Sequence, residues 1–563
     1  MFSLLKARYF VIYLTMLTPF SYGDAQKGVL ELTIIDATTG KPVPARIELR
    51  GLDGKSYIAD DALPIGGDCG EIRADGTAGP MRYSGTRLDD ALAKFTKTRK
   101  APFTEALHFY SAGTSKLKLP PGLFNIKVFK GPEYKLSHTE VSIESANTLQ
   151  RTIKLSRFAN MPVKGWYSAD GHLHIARINM EVDPLVLKMM QAEDIHVGNL
   201  LQMGRADTSL TTPQYAHGDS SQYREGNHLI ISGQENLRTH LLGHTITLGA
   251  NEMIYKPETY PVYRMAWQQS FDQGALNGYA HFGEVRLGLE SGLPVLAPHN
   301  LMHFIEVLQF NRGQYGAWYN MLNLGFRITP TAGTDYPCAK GFPGSERFFT
   351  KVEGDFTFEN WLAGVRAGRT FVTTGPLLEF SVNDQGVGGE VFLLEEGNVT
   401  IKGKVLFKKQ DIDQLMELEL VENGEVIKKF PRIDDSGKIN FEIHHKVQET
   451  SWFALRINNR YFNRYPGGQP YDTAHTAPVY VTLKNAQPIA KHPRTRAIAK
   501  KWLASLDALE LRLSQEKIQY LIDADKKFSV GDPIPYQVLM DNHKALVNEI
   551  EYAKSFFYKF LSN

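Results

Sequence analysis

The stretch Gly165-Trp166-Tyr167-Ser168-Ala169-Asp170-Gly171-His172-Leu173-His174 sets two imidazoles on either side of one leucine, at the end of a strand-like run. In a strand, residues i and i+2 point to the same face. Both rings therefore aim at one point, which is what a divalent ion requires. Histidine is a common ligand for zinc and similar ions. A His-x-His pair alone says little; the residues downstream of it give it weight. Ten of the 17 histidines lie between His172 and His303, where even placement would put about four.

Further candidate ligands sit where strand-like runs end. Glu235 closes Leu229-Ile230-Ile231-Ser232-Gly233-Gln234-Glu235, His244 precedes the run Thr245–Leu248, and His281 stands in Gly278-Tyr279-Ala280-His281-Phe282-Gly283. Asp335 closes Thr331-Ala332-Gly333-Thr334-Asp335. In barrels, ligands and catalytic groups collect where strands pass into loops. A carboxylate such as Glu235 can bridge two ions, and a two-ion site clamps the attacking and leaving oxygens.

The surrounding chain divides by period. Residues 28–156 alternate at the strand period and carry Gly/Pro turns, which predicts a small β-sandwich. Residues 160–378 alternate strand-like and helix-like runs, among them a helix from Asp183-Pro184 to about Ala192, and predict a barrel. Residues 380–485 turn β again around the Asn423-Gly424 hairpin signal. Residues 494–563 read as two helices, with Leu503, Leu506, Leu509 and Leu513 on one face.

The start of the chain reads as a secretory signal over residues 1–23. Lys6 and Arg8 precede an apolar run from Tyr9 to about Phe20, and Ser21-Tyr22-Gly23 supplies a small-residue cleavage site. The run is shorter than the ~20 residues a membrane span takes. The expected protein is periplasmic or secreted, with no stable membrane insertion after signal removal. A net charge of +2 gives no electrostatic case for nucleic acid. A composition 42% hydrophobic and 22% charged argues for a folded chain. Two cysteines, Cys69 and Cys338, make no disulfide framework, and whether they pair is open. Cys338 reads as a small packed side chain or a nucleophile.

The segments GWYSADGHLH, SGQENLRTHLLGH, YAHFGE, WYNMLNLGFRITPTAGTDYP, PGSERFF and AGRTFVTTGPLL, taken together, resemble the PHP-domain metallohydrolases. Within them the likeness is to the carbaryl-hydrolase-like CehA/McbA branch. It covers roughly residues 160–390. The opening GKPVPARI and the later LPPGLFNIKV resemble transthyretin-like or carboxypeptidase-regulatory-like modules. The resemblance implies a distorted (β/α)7 barrel flanked by an N-terminal β-sandwich and a C-terminal β module with a helical tail. It also implies ions at one end of the barrel, held by His172, His174, Glu235, His244, His281 and Asp335. Two departures stand out: Val197-Gly198-Asn199-Leu200-Leu201 lacks the family's Asp-His, and Asp335-Tyr336-Pro337 lacks its Asp-x-His. Those histidines serve a third ion, so one or two divalent transition ions (zinc, manganese or iron) are expected. Asp183 could be an acidic ligand or a helix cap.

Asp335 is the candidate to orient or deprotonate the attacking water. Arg347 reads either as an anchor for an anionic substrate or as a loop ion pair. His299 is a candidate pocket residue, and His475 a candidate to approach the site from the C-terminal module. His196, His217, His228, His240 and His303 read as structural or surface groups. No Gly-x-Ser-x-Gly elbow is present, which disfavours a serine hydrolase. The expected activity is metal-dependent hydrolysis of a small-molecule ester, amide or carbamate. A PHP-type phosphoesterase and a non-catalytic glycan- or wall-associated binding protein are the alternatives.

Overall fold

The computed structural model describes residues 26–66, 95–96, 99–100, 107–204, 210–239, 241–281, 292–310, 312–338, 341–407, 417–430, 438–458, 473–485, 489–514, 517–519 and 536–562. The signal-like segment, Cys69 and His240 lie outside them.

The first unit holds β1 (Gly28–Asp36), β2 (Ala45–Gly51), β3 (Leu107–Ser111), β4 (Thr114–Leu119), β5 (Gly122–Phe129), β6 (Ser137–Ile143) and β7 (Thr148–Leu155). They form two facing sheets, β7-β1-β4 and β3-β2-β5-β6 with the short strand Arg99–Lys100 at its edge. Strict alternation builds the core between them. Leu30, Leu32 and Ile34 of β1 face Ile47, Leu49, Ile126 and Val128, all essentially sealed from solvent. Each such side chain contributes about 1.5–3 kcal/mol by burial.

The central unit runs through β8 (Trp166–Leu173), α1 (Asp183–Ala192), β9 (Val197–Gly204), β10 (His228–Thr239), β11 (Gly243–Leu248), α2 (Tyr263–Asp272) and β12 (Leu276–Tyr279). It continues with β13 (Met302–Gln309), α3 (Gly316–Asn323), β14 (Thr329–Ala332), β15 (Arg347–Lys351), α4 (Phe358–Arg366) and β16 (Thr370–Thr373). Helix α4 begins at Thr357, whose hydroxyl accepts from the Asn360 N–H at 3.2 Å.

The expected (β/α)7 barrel is not what the chain forms. β8, β9 and β10 pair in parallel, as do β12, β13 and β14. Between these two groups, however, β10–β11 and β11–β12 are antiparallel, and β15 pairs antiparallel with β8. The strands belong to an 18-stranded sheet that continues beyond the unit. The physical reason lies in the connections. A parallel crossover needs a dozen or more residues, and only residues 240–242 separate β10 from β11. The link from β9 to β10 is rich in Ser, Thr, Gly and Asp, and among the described residues carries short strands and a 3-10 turn where a helix would stand.

The sheet then passes from β16 into β22 (Ala474–Thr476), so residue 378 is not a break in hydrogen bonding. β17 (Leu377–Val382), β18 (Gly397–Leu406) and β20 (Lys438–Val447) form a separate sheet. It packs on β19 (Glu417–Glu422), β21 (Ser451–Asn458) and β23 (Val479–Leu483) through Phe380, Ile401, Leu420, Leu455 and Val481. Helices α5 (Pro493–Arg512) and α6 (Tyr536–Tyr558) return to the central unit. Leu503, Leu506, Leu509 and Leu513 are buried there with Trp502, Trp318 and Phe557.

Candidate metal centre

Six expected ligands converge at one end of the parallel strands. His172 is the penultimate residue of β8, and His174 lies just past the strand's end. The alternation places their Nε2 atoms 3.0 Å apart. Asp335 follows β14, and its loop is tied back to β8 by His174 N–H donating to the Tyr336 carbonyl at 2.6 Å. Asp335 Oδ1 stands 3.1 Å from His174 Nε2 and 3.6 Å from His172 Nε2. Glu235 projects from β10 at a register shift opposite β11. Its Oε2 faces His174 Nε2 at 3.3 Å and His172 Nε2 at 3.7 Å. Its Oε1 faces His244 Nδ1 at 2.9 Å and His281 Nε2 at 3.3 Å.

Glu235 thus turns one oxygen to each of two histidine pairs. Ligands at 2.0–2.2 Å around a tetrahedral ion stand about 3.3–3.6 Å from one another, and the observed separations bracket that range. The donor set of imidazole and carboxylate suits zinc, manganese or iron. His172, His174 and Asp335 lie close enough together to share one ion, as do His172, Glu235 and His281, with His244 against the outer oxygen of Glu235. Asp335 (φ 55°) and His281 (φ 32°) both occupy left-handed backbone, a strain of about 1–3 kcal/mol each that concentrates at functional sites.

The charges agree with this geometry. Burial alone would lower the His172 pKa, but Glu306, Glu235 and Asp335 outweigh it and hold it well above the usual imidazole range. His174 is raised against burial by Asp335 and Glu235. Burial would raise Glu235, yet Arg238, His244, His172 and His174 hold it well below the usual carboxylate range. Asp335 is likewise lowered, against burial, by His174, His172 and His281. The cluster favours positive charge at its centre.

Four residues of the surroundings are not among the candidates read from the sequence, although Asp170 and Arg238 lie within its motifs. Glu306 Oε2 accepts from His172 Nδ1 at 2.9 Å. The Leu201 carbonyl accepts from His174 Nδ1 at 3.3 Å. These bonds leave both Nε2 lone pairs pointing inward. Asp170 is fully buried and accepts from the backbone N–H of His172 (3.1 Å), Thr334 (3.1 Å) and Gly344 (2.8 Å), and from the Thr334 hydroxyl (2.6 Å). It ties the His-x-His strand to the Asp335 loop. Burial pushes Asp170 up to about 6 despite those bonds. Arg238 Nη1 lies 3.1 Å from Glu235 Oε2. For Glu306 the sequence does hold one signal, a carboxylate inside the apolar run Phe304-Ile305-Glu306-Val307-Leu308.

Three expectations fail on position. Arg347 is not at the cluster. It is 3% exposed, and its guanidinium donates to the carbonyls of Gly344 (2.6 Å) and Glu193 (2.8 Å), where it caps the C-terminal end of α1. His299 is not at the cluster either. Its Nε2 pairs with Glu549 of α6 at 2.7 Å and its ring stacks on Tyr552, so it docks the helical tail. His475 is fully buried on β22, bonded to the Tyr319 hydroxyl at 2.5 Å and the Thr476 carbonyl at 2.7 Å, and burial pushes it down to about 3. Asp183 begins α1 and is held by Arg177 (3.2 Å) and the Tyr215 hydroxyl (2.6 Å), away from the cluster and without capping the helix. Cys338 is disulfide-bonded, and so no free nucleophile. A groove of about 870 Å³ between β15 and the β17–β18–β20 sheet includes none of the six ligands in its lining.

No protein-family model and no curated protein matches the chain. Three solved structures share parts of it. The minor pilin GBS52 of Streptococcus agalactiae is 18% identical over 24% of this chain and 47% of its own, with a TM-score of 0.15. The TIE protein of Bacillus anthracis is 14% identical over 26% and 19%, with a TM-score of 0.14. The lesion-specific endonuclease PfuEndoQ of Pyrococcus furiosus is 12% identical over 36% and 56%, with a TM-score of 0.24. The chain spans about half or less of these proteins' length, and at such scores they carry no argument about fold or function.

Proposed function

We propose that this protein is an exported metal-dependent hydrolase acting on a small-molecule ester, amide or carbamate. The observation that carries the reading is the carboxylate of Glu235, with one oxygen toward His172 and His174 and the other toward His244 and His281. When bound, divalent ions supply hydroxide at neutral pH and polarise the substrate oxygen. The chain's own residues do the rest. Asp335, 15% exposed at its side chain, borders the open side of the cluster and orients the attacking water. Glu306 and the Leu201 carbonyl hold the imidazoles in one tautomer. Arg238 balances the charge of Glu235.

The ligand motifs support a place near the PHP-domain metallohydrolases of the CehA/McbA branch, through the His-x-His, glutamate, histidine and aspartate pattern and not through barrel topology. Export is supported by the charged and apolar start of the chain and by the bonded state of Cys338, since disulfides persist in oxidising compartments. No helix among the described residues is long and apolar enough to cross a membrane.

The test is elemental analysis of the purified protein, together with a hydrolase panel before and after chelation. One or two transition ions per chain, with turnover lost to the chelator and regained on adding metal, is the expected outcome. Full turnover in metal-free protein would overturn the reading.

A further inference from the structure

Glu306 stands outside the ligand set yet touches both of its halves. Its Oε2 accepts from His172 Nδ1 at 2.9 Å and from the His281 backbone N–H at 3.2 Å. His172 belongs to both groups of donors that can share an ion and His281 to the one with Glu235, so one carboxylate oxygen sets the position of a ligand of each group. Gln309 Nε2, 3.4 Å from the same His172 Nδ1, lies on the same strand.

The fold makes room for this carboxylate at some cost. Glu306 is 1% exposed, and its Oε1 finds no hydrogen-bond partner among the described residues. A buried carboxylate left half-satisfied is destabilising and calls for a reason. Gly333 permits its approach. A Cβ there would lie 2.5 Å from Glu306 Oε1 and 2.3 Å from His172 Cβ. A Cβ on Gly171, beside His172, would face the same oxygen at 3.7 Å. Gly333 thus opens the recess into which Glu306 fits, and Gly171 borders it at ordinary contact distance.

We propose that Glu306 is the positioning residue that couples the two halves of the metal centre. It fixes the His172 ring with its Nε2 bare, makes that nitrogen a stronger donor, and anchors the His281 backbone in its left-handed turn. The inference rests on the metal-centre reading. An outer carboxylate of this kind typically governs metal affinity by about 10–100-fold.

The experiment is a titration of the full-length mature protein with cobalt(II), read by calorimetry and by the visible ligand-field spectrum, for the wild type, Glu306→Gln and Glu306→Leu. The expected order of affinity is wild type, then Gln, then Leu, with at least a roughly 10-fold loss for Leu and a changed spectrum for both variants. Melting curves in chelator provide the control for folding. The graded Gln response separates positioning from packing, because Gln fills the same space and can still accept one hydrogen bond. If all three proteins bind cobalt equally with one spectrum, the role of Glu306 is overturned and the metal centre stands. If Leu lowers the melting temperature while Gln binds as the wild type does, Glu306 is structural and the inference is likewise overturned. If the wild type itself binds no cobalt, both the inference and the metal-centre reading fall.

Discussion

Two groups of histidine and carboxylate lie at opposite ends of the same parallel strands. At one end are His172, His174, Glu235, His244, His281 and Asp335. At the other, Asp194 and His196 precede β9 and His228 opens β10, again with ligand-type atoms within 4.8 Å of one another. The residue types match, but the neighbours do not. Asp194 is bonded to Arg157 at 2.8 Å, Arg157 also holds Glu133 at 3.0 Å, and Lys130 and Arg347 are packed close by. Burial lowers the pKa of His196, and His228, Arg157 and Arg347 lower it further, with Asp194 opposing them. Burial also lowers His228. In the first group nearby carboxylates outweigh burial and hold the imidazoles high, whereas in the second burial is the largest cause and keeps His196 and His228 low. Both groups bring ligand types together; they differ in that Asp194 of the second is already tied to Arg157, whereas the imidazoles of the first face several carboxylates.

The sharpest test of that contrast is substitution at each end. His172→Ala, Glu235→Gln or Asp335→Ala should release bound metal and reduce turnover to background while far-ultraviolet circular dichroism is retained. His228→Ala should leave the metal content measured by elemental analysis unchanged. Equal loss of metal from both ends would erase the distinction.

The next largest effect belongs to the second group alone. Arg157 joins the N-terminal sandwich to the central unit by pairing with Glu133 and Asp194, both essentially buried. Arg157→Ala removes the charge partner of the buried Asp194, while Glu133, pushed up to about 8 by burial and Asp194, can take a proton. Breaking a buried pair in this way costs about 3–5 kcal/mol, to be read from denaturant unfolding in chelator. Metal stoichiometry should not change. A loss below about 1 kcal/mol, the scale of an exposed pair, would show that solvent already screens this interface.

The same contrast separates what the sequence reveals from what it hides. The ligand end is legible because the His-x-His obeys strand alternation, and because Glu235 and Asp335 sit where apolar runs stop. The neighbours are not legible. Arg347 comes after a glycine-rich loop that suggests a site, and only the packed fold shows it turned onto the carbonyls of Glu193 and Gly344. Glu306 and His172 are 134 residues apart, and no local period joins them. The barrel expectation fails at residues 240–242. Strand periodicity marks β10 and β11 but carries no pairing direction, and their short connection makes them antiparallel. His299 and His475 are chemically suggestive in sequence, yet each docks one part of the chain on another.

Acid should unmake the two ends by different routes. His196 is held well below the imidazole range, and His475 and His217 are pushed down to about 3 and about 4 by burial. Groups depressed in the folded state contribute stability that is full above the unfolded value near 6.5 and is lost as pH falls toward the folded values. In the metal-free protein these groups favour a lower melting temperature at pH 5 than at pH 7, while His172 and His174, held high by their carboxylates, oppose it. At the ligand end protons compete with metal for the same donors, so metal affinity should also fall with pH. Scanning calorimetry with and without chelator separates the two. If His217→Gln left the pH dependence of the metal-free melting temperature between pH 7 and pH 5 unchanged, a neutral half-buried His217 would be contradicted.

The smallest expected effect concerns the substrate, and the distribution of arginines carries it. Arg157 and Arg347 lie with the second group, committed to Asp194, Glu133 and backbone carbonyls. Among the described residues Arg238 is the arginine paired within the ligand cluster, and its partner is Glu235. A phosphomonoester brings nearly two negative charges at neutral pH and is best held by several cations. A carbonyl substrate needs one group to polarise its oxygen and one source of hydroxide. Aryl esters and carbamates should therefore be turned over better than an aryl phosphate with the same leaving group, in metal-replete protein. The measurement is kcat/KM for the three. A tenfold advantage for the carbonyl substrates corresponds to about 1.4 kcal/mol of transition-state binding. A tenfold advantage for the phosphate would reverse the assignment in favour of the phosphoesterase, and would mean that the cation-drawing field of the ligand cluster, once filled with metal, outweighs the scarcity of arginines around it.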